Sequence, residues 1–320
     1  YIRFIKRIYG FKIMSILSKR YFHNEATAFK YLESILWTDG PQCPHCGVVD
    51  RAGKLKGKST RIGLWKCYEC RKQFTVKVGT VFEHGRIPLH KMLQATYLMC
   101  SSKKGVSAHQ LHRTLEITYK TAWFLAHRIR EAMREGKMPG GLGGENKVVE
   151  ADETYIGGKA KNAHRGKPVP QKESVVSLVE RDGRVSSHHV PAVNSKTLRP
   201  VLRSHIDRKS YLMTDEAKVY TGIGREFNGH GTVNHSIDEY VRGTFWHTNT
   251  VEGYFSILKR GLTGTYQHVS QQHLKRYLGE FDFRYNYRVG LDVDDNQRTE
   301  KALSGIVGKR LTYHGSPTVA

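Results

Sequence analysis

Several features that mark special classes of protein are scarce or missing in this sequence of 320 residues. Its nine prolines and the lack of a Gly-X-Y period exclude collagen-like and proline-rich low-complexity chains. No run of about 18 uninterrupted apolar residues is present, so we expect no ordinary membrane span. The first residues mix cations with apolar side chains and lack a small-residue cleavage site, which argues against a signal peptide. A hydrophobic share of 38% still suffices for folded cores, and the length predicts two or three domains.

Acidic residues are few relative to basic ones. Asp and Glu total 29 against 52 Lys and Arg, which gives a net charge of +23. The first 150 residues contain 27 of the basic and 11 of the acidic residues. Such a field attracts polyanions and speeds encounter with them. Nucleic acid is therefore the first candidate partner, and a merely basic soluble protein is the alternative.

Cysteine is also scarce, yet four of the five cysteines form two CxxC pairs separated by 20 residues. Zinc binds four thiolates in a tetrahedron, and a two-residue gap lets both sulfurs of a pair reach one ion. The spacing predicts a structural zinc ribbon in a reducing compartment, which here means the cytoplasm. A redox role for the pairs is the alternative, but no thioredoxin-like unit surrounds them. The predicted zinc ligands are Cys43, Cys46, Cys67 and Cys70, and Cys100 is expected to be a small core residue.

The order of predicted elements indicates a multidomain α+β protein with a mixed sheet flanked by helices in its second half. Helices are expected over 24–37, 107–115, 119–133, 195–206, 251–262 and 271–288, with a further helix from residue 88. Strands are expected over 147–158, 173–183, 184–193 and 210–215. The predicted units are an N-terminal extension with an amphipathic helix (1–37), a zinc ribbon (38–80), a helical DNA-binding segment (86–138), a glycine-rich linker (139–146), a mixed α/β catalytic domain (147–288) and a C-terminal tail (289–320). Met14 is a candidate start, in which case residues 1–13 carry no function.

Three helices joined by short turns within 88–136 are typical of a helix-turn-helix unit, whose third helix enters the major groove of DNA. An ordinary three-helix packing unit is the alternative.

A second basic segment, the loop between the first two strands of the catalytic domain, is either a DNA contact or a solvated loop. From these two segments we expect DNA contacts by Lys120, Arg128, Arg130, Lys161 and Arg165.

Three carboxylates stand at positions that suit a two-metal phosphoryl-transfer site. Asp152 and Asp215 lie at strand ends, and Glu252 begins a later helix. Hard cations such as Mg²⁺ prefer oxygen ligands, and two ions can activate an attacking oxygen and stabilise a leaving one. Lys259 lies seven residues after Glu252, on nearly the same helix face, where it suits a DNA phosphate. Each acid alone has the alternative interpretation of a cap or a surface group, and it is their combination that points to a metal site.

Four segments of the sequence resemble those of a known family. The segments HTNTVEGYFSILKRGLTGTYQHVS (247–270), HLKRYLGEFDFRYNYR (273–288), VEADETYIGGK (149–159) and CPHCG (43–47) are similar to those of ISXO-type bacterial insertion-sequence transposases. The resemblance covers about residues 25–288. It implies an RNase H-like catalytic domain of the DDE class, with Asp152, Asp215 and Glu252 as the triad and Lys259 at the family's downstream basic position. Some relatives use Asn as the third ligand; Asn249 is nearby, but Glu252 has the matching lysine spacing.

The expected function is that of a DNA transposase that binds element ends, cuts DNA and joins the 3′-OH ends to a target. The expected cofactors are structural Zn²⁺ and two catalytic Mg²⁺ or Mn²⁺ ions, and the expected partners are DNA and further copies of the chain on DNA. The expected location is the bacterial cytoplasm, with the nucleoid. A zinc-ribbon regulator with an inactive C-terminal domain and a Mg²⁺-dependent nuclease without strand transfer remain the alternatives.

Overall fold

The computed structural model describes residues 15–136, 140–157, 172–233 and 247–312. Among these residues are nine α-helices, a three-stranded sheet and a five-stranded sheet. The helices are α1 (Glu25–Leu36), α2 (Leu89–Ser101), α3 (Ala108–Leu115), α4 (Tyr119–Met133), α5 (Ser195–His205), α6 (Lys218–Gly224), α7 (Asn249–Gly264), α8 (Gln271–Asn286) and α9 (Asp295–Ser304). The strands are β1 (Ala52–Lys54), β2 (Trp65–Cys67), β3 (Gln73–Phe74), β4 (Val148–Ile156), β5 (Glu173–Glu180), β6 (Val185–Val190), β7 (Tyr211–Asp215) and β8 (Gly229–Val233).

Three of the four helices of the first half, α1, α3 and α4, begin at side-chain caps, and all four share one hydrophobic core. Asn24, Ser107 and Thr118 each accept a hydrogen bond from the backbone amide three residues later. Asn24 and Ser107 thus act as the N-caps of α1 and α3. Between α3 and α4 the chain turns through Glu116, which adopts a left-handed conformation with φ of 51°. The segment has the expected helix-turn-helix-like arrangement, and Cys100 is buried in its core.

The C-terminal residues complete this helical core, which corrects the expectation that 289–320 is a tail. Helix α9 begins with a capping box at Asp294. The Arg298 guanidinium donates to the backbone carbonyl of Cys100 at a distance of 2.9 Å. The α9 segment buries three apolar side chains in the same core as α2 and α4, namely Ala302, Leu303 and Ile306. After forming the second sheet and its helices, the chain therefore returns to pack on the helices of the first half.

The zinc-ribbon unit is an antiparallel sheet in the order β1-β2-β3. Its small core includes Cys43, Cys67 and Phe74. Glu33 of α1 accepts hydrogen bonds from the Lys54 ammonium and the Trp65 indole, each at 3.0 Å. These contacts fix the ribbon against α1.

The five-stranded sheet has the order β6-β5-β4-β7-β8. The pairs β4–β5 and β5–β6 are antiparallel, whereas β4–β7 and β7–β8 are parallel. Helices α5 and α6 pack on one face, and α7 and α8 pack on the other. This mixture of directions and this strand order belong to an RNase H-like fold, in agreement with the fold class that the resemblance implies.

Two elements of this domain, α6 and β8, were missed by the sequence analysis. Strand β8 contains Gly229 and Gly231 among five residues, and glycine weakens the strand signal. The described part of the expected linker, 140–146, packs on the sheet domain: Leu142 is buried and pairs with Ile206 in an isolated bridge. No helix in the described parts of the chain has the length and apolar character needed to cross a membrane.

Candidate active site and metal centres

The four paired cysteines converge at one end of the ribbon. Their Sγ atoms all lie within 4.8 Å of one another, with 3.6 Å between Cys43 and Cys70 and 3.7 Å between Cys46 and Cys67. A tetrahedron with Zn–S bonds of about 2.3 Å has edges of about 3.8 Å, so these sulfurs fit a zinc ion. The cysteines are therefore positioned for one zinc ion. A closed set of four thiolates leaves no open position for a substrate, which makes the site structural.

Asp152 and Asp215 are brought together by the pairing of two parallel strands. The register of β4 and β7 joins Val148 to Tyr211 and Glu150 to Met213. Continued by two residues, this register places Asp152 beside Asp215. Parallel strands are about 4.8 Å apart, and both residues lie on the sheet face that α7 covers, because side chains alternate along a strand. Both carboxylates thus stand side by side on that face, Asp215 at the end of β7 and Asp152 in the middle of β4. The expectation that Asp152 lies at a strand end is therefore wrong, because β4 continues to Ile156.

Glu252 and Lys259 lie on one continuous helix, α7, which packs on that face of the sheet. Both side chains are exposed. The Thr248 hydroxyl donates to the Glu252 carboxylate at 3.4 Å. The Lys259 ammonium lies 5.9 Å from the centre of the Phe255 ring. Asn249, the other candidate third ligand, is the first residue of the helix and is also exposed.

The pKa of Asp152 depends on its burial and on the acidic side chains around it. The pKa of Asp152 is raised to about 7, and burial is the largest cause. The Glu153 amide, which donates to Asp152 at 2.7 Å, opposes the rise in pKa. The negative charges of Glu153, Asp215 and Glu252 add to the rise. Three neighbouring carboxylates therefore disfavour the charged form of Asp152, and a bound cation would relieve that repulsion.

The carboxylates are less tightly gathered than the thiolates. Within the described ranges, the cysteine cluster is the one group of three or more potential ligands whose atoms all lie within 4.8 Å of one another. A two-ion site spreads its ligands more widely, since the ions are about 3.5–4 Å apart and Mg²⁺ keeps several waters. The carboxylate oxygens of the acidic group are thus suitable ligands for hard cations, and they lie on one face of the sheet.

Glu150, which no sequence pattern singled out, lies two residues before Asp152 on the same face of β4. Its side chain is 0% exposed. Its carboxylate accepts hydrogen bonds from the Thr250 and Val251 amides, at 2.8 and 3.0 Å, and from Arg181 Nε at 2.6 Å. The two-residue repeat of a strand places Glu150 on the Asp152 face, but its contacts depend on a helix 100 residues later.

Glu153 is a second carboxylate that the sequence analysis did not single out. Its neighbour Asp152 faces α7, so Glu153 points to the α5–α6 side of the sheet. There the Tyr220 hydroxyl donates to it at 2.6 Å. Burial raises the pKa of Glu153, and the charge of Asp215 adds to that rise. Glu153 thus adds negative charge beside Asp152 and Asp215 from the opposite face of the sheet.

The three basic residues of α4 that were expected to contact DNA have different positions. Lys120 is exposed near the start of the helix. Arg128 is half-buried, and its guanidinium lies 4.7 Å from the centre of the Phe124 ring. Arg130 is only 2% exposed and donates from Nε to Glu280 of α8 at 2.7 Å. The expectation that Arg130 contacts DNA is therefore wrong, because this side chain faces the second domain.

The expected contacts at Lys161 and Arg165 lie outside the described residues. His127 of the same helix is only 1% exposed and packs against the rings of Trp123, His273 and Tyr277 in tilted and edge-on contacts. The basic side chains that α4 leaves at least partly exposed are therefore Lys120 and Arg128.

Two segments of the chain match described protein families. Residues 141–286 match the family described as ISXO2-like transposase domain, and residues 23–73 match the family described as transposase zinc-ribbon domain. An uncharacterized protein in transposable element ISH50 of Halobacterium salinarum is 28% identical over 287 residues, which cover 82% of this chain and 91% of that protein. A simian T-cell lymphotropic virus intasome in complex with PP2A regulatory subunit B56 gamma matches 54% of this chain and 67% of that chain with 16% identity. Its TM-score of 0.27 is too low to establish a shared fold.

Proposed function

This chain belongs to the transposases that combine a transposase zinc ribbon with an ISXO2-like transposase domain, and from that premise we propose that it is the DNA transposase of an insertion sequence. It binds the element ends, cleaves phosphodiester bonds and joins the 3′-OH ends to target DNA. The observation that supports the proposal most is the side-by-side placement of Asp152 and Asp215 on one sheet face, with Glu252 near enough to raise the pKa of Asp152.

In this proposal the three carboxylates are the catalytic metal ligands. Asp152, Asp215 and Glu252 would hold two Mg²⁺ or Mn²⁺ ions through their oxygens, leaving positions for water and DNA. When bound, such ions activate the attacking oxygen and stabilise the leaving one. The strands hold two ligands rigidly, while α7 brings the third over the same sheet face. A ligand set built on rigid elements keeps its geometry through the reaction.

Lys259 binds a DNA phosphate and is not a metal ligand. It lies about 10.5 Å along the helix axis from Glu252, and a rotation of about 700° returns it to nearly the same face. A lysine at that distance suits a phosphate next to the one that reacts, as a point charge without fixed geometry. Lys259 therefore orients the strand that runs past the acidic site.

The chemistry proceeds by two displacements at phosphorus. In the first, water attacks the phosphodiester at the element end, the bond to the 3′ oxygen breaks, and a 3′-OH is released. In the second, that 3′-OH attacks a target phosphodiester, forming the new bond and releasing a target 3′-OH. Each step exchanges one P–O bond for another, so no covalent protein–DNA intermediate is needed.

The first half of the chain recognises DNA. Its surplus of basic residues supplies the electrostatic attraction. The ribbon and the exposed start of α4, with Lys120, hold the element ends, and Arg128, Lys161 and Arg165 add phosphate contacts. The zinc ion keeps the ribbon folded. A homo-oligomer on DNA in the bacterial cytoplasm, with the nucleoid, is part of the same proposal.

A strand-transfer assay tests this function. Purified protein is incubated with Mg²⁺, duplexes that carry the ends of its own element, and a supercoiled target plasmid. Joined end–plasmid products support a transposase. Cut ends without joined products would identify a nuclease instead. A shifted but uncut duplex would favour the regulator. Native mass spectrometry of the complex gives the number of subunits.

A further inference from the structure

The start of α7 is capped by a carboxylate from another element. Thr248, the residue at the N-cap position, makes no side-chain cap hydrogen bond. Glu150 of β4 accepts instead from the amides of Thr250 and Val251, the second and third residues of the helix. The Thr250 hydroxyl also donates to Glu150, at 2.9 Å. An N-cap side chain normally serves these same amides. A strand residue thus replaces the local cap.

The position of this cap connects the two sides of the acidic site. Glu150 and Asp152 are two residues apart on one face of β4, which is about 6.6 Å along the strand. On the helix, Glu252 directly follows Val251, whose amide Glu150 holds. One side chain therefore fixes the start of α7 against the strand that contains Asp152. We propose that Glu150 is a positioning residue that sets the distance between Asp152 and Glu252 for metal binding.

The charge of Glu150 suits this role. A negative charge at a helix N-terminus is favourable, and a buried carboxylate is tolerated when it is paired. Arg181 supplies the pairing through Nε, and its Nη2 donates to the His247 carbonyl at 2.7 Å. His247 Nδ1 lies 3.3 Å from the same carboxylate. Arg181 thus holds both Glu150 and the chain that enters α7.

Glu180 provides a matched control. It is a carboxylate of the neighbouring strand β5 and is only 7% exposed. It accepts from the Gly143 amide at 3.1 Å and from the Lys147 ammonium at 2.6 Å. Its contacts resemble those of Glu150, but they hold the segment before β4 rather than α7. Glu180→Gln therefore removes a comparable buried charge without touching the start of α7.

The test compares Glu150→Gln, Glu180→Gln and wild type, all loaded with zinc. Mn²⁺ binding is measured by isothermal titration calorimetry, and amide exchange is measured residue by residue. We expect Glu150→Gln to weaken Mn²⁺ binding by about 10–100-fold, the usual effect of losing a group that orients metal ligands. We also expect faster exchange at the Thr250 and Val251 amides. Glu180→Gln is expected to change neither quantity.

The milder variant Thr250→Val covers the case in which Glu150→Gln does not fold. It removes one donor to Glu150 and keeps the size of the side chain and both amides. We expect it to weaken Mn²⁺ binding in the same direction but less. Wild-type Mn²⁺ affinity in whichever variant folds would overturn the positioning role.

This inference rests on the proposed function, and the measurements separate the two. A wild-type protein that binds Mn²⁺ but does not cut DNA would overturn the function and leave the positioning role standing. If wild-type protein cuts DNA and Glu150→Gln binds Mn²⁺ with unchanged affinity, the positioning role is overturned and the proposed function stands. Wild-type protein that binds no Mn²⁺ would overturn both.

Discussion

Replacing Arg130 by alanine perturbs the buried contact that joins α4 to α8. Arg130 and Glu280 are 2% and 0% exposed, and Nε lies 2.7 Å from the carboxylate. The guanidinium also lies 4.0 Å from the centre of the Tyr277 ring. Removing one partner of a buried pair costs about 3–5 kcal/mol, because the other charge stays buried. Glu280 keeps Arg284 and the Tyr266 hydroxyl as partners, so we expect about 3 kcal/mol.

The assay is urea unfolding followed by tryptophan fluorescence, with Trp123 of α4 as one reporter. Arg134→Ala is the control, because Arg134 is an exposed residue near the end of the same helix and pairs with Glu131 at 3.1 Å. Surface pairs contribute about 0–1 kcal/mol, so this control should unfold almost as wild type does. If Arg130→Ala kept wild-type stability and instead reduced the salt dependence of DNA binding, Arg130 would be a DNA contact and the buried placement would be wrong.

Three further outcomes follow from the metal centre, the buried carboxylate and the helix lysine. Cys67→Ser should remove the one bound zinc per chain, as measured by elemental analysis, and unfold the ribbon while the second sheet stays folded; full zinc content would contradict this. Burial alone would raise the pKa of Glu280, but Arg284 and Arg130 outweigh it and hold the pKa at about 2 against an ordinary 4.5. The native state therefore loses this stabilisation as pH falls from about 4.5 to about 2; Glu280→Gln should show a flatter loss in urea unfolding, and an equal slope would count against the ion pair. Lys259→Ala should reduce the salt slope of DNA binding by about one and leave Mn²⁺ affinity unchanged; an unchanged slope would place Lys259 away from phosphate.

Local patterns in the sequence were sufficient for most helices and strands. Helix α4 was expected over 119–133 and occupies Tyr119–Met133. Asn24 and Ser107 were readable as caps because a side-chain oxygen directly before an apolar helical repeat can accept a hydrogen bond from a free amide of the first turn. Strands β4 and β5 of the second sheet were readable from their runs of branched apolar residues, whereas the glycine-containing β8 was not. These features depend on neighbours within a few positions.

The features that the sequence analysis missed depend on distant contacts. Arg130 has the same basic character as Arg128, and only the packing of α8 distinguishes a buried arginine from an accessible one. Helix α9 has few apolar residues, and its burial follows from the return of the chain to the first core. The role of Glu150 depends on the amides of a helix 100 residues later. In each case the partner is set by the tertiary fold.

The candidate catalytic carboxylates were proposed from their places at strand ends and a helix start. The strand register supports the pairing of Asp152 with Asp215, because it follows from two parallel strands side by side. The distance of Glu252 from them depends on how α7 sits over the sheet, which the sequence does not specify.

Cleavage by Asp215→Asn tests the central claim most directly. Asparagine keeps the size of the side chain and removes the charge that holds a hard cation. Asp182→Asn is the matched control, because Asp182 is exposed in the β5–β6 turn with φ of 55°, a conformation that asparagine adopts readily. With saturating end DNA and Mg²⁺, the account predicts that Asp215→Asn binds the ends and melts like wild type but cuts no strand, while Asp182→Asn cuts normally. Cleavage by Asp215→Asn at the wild-type rate would contradict the account.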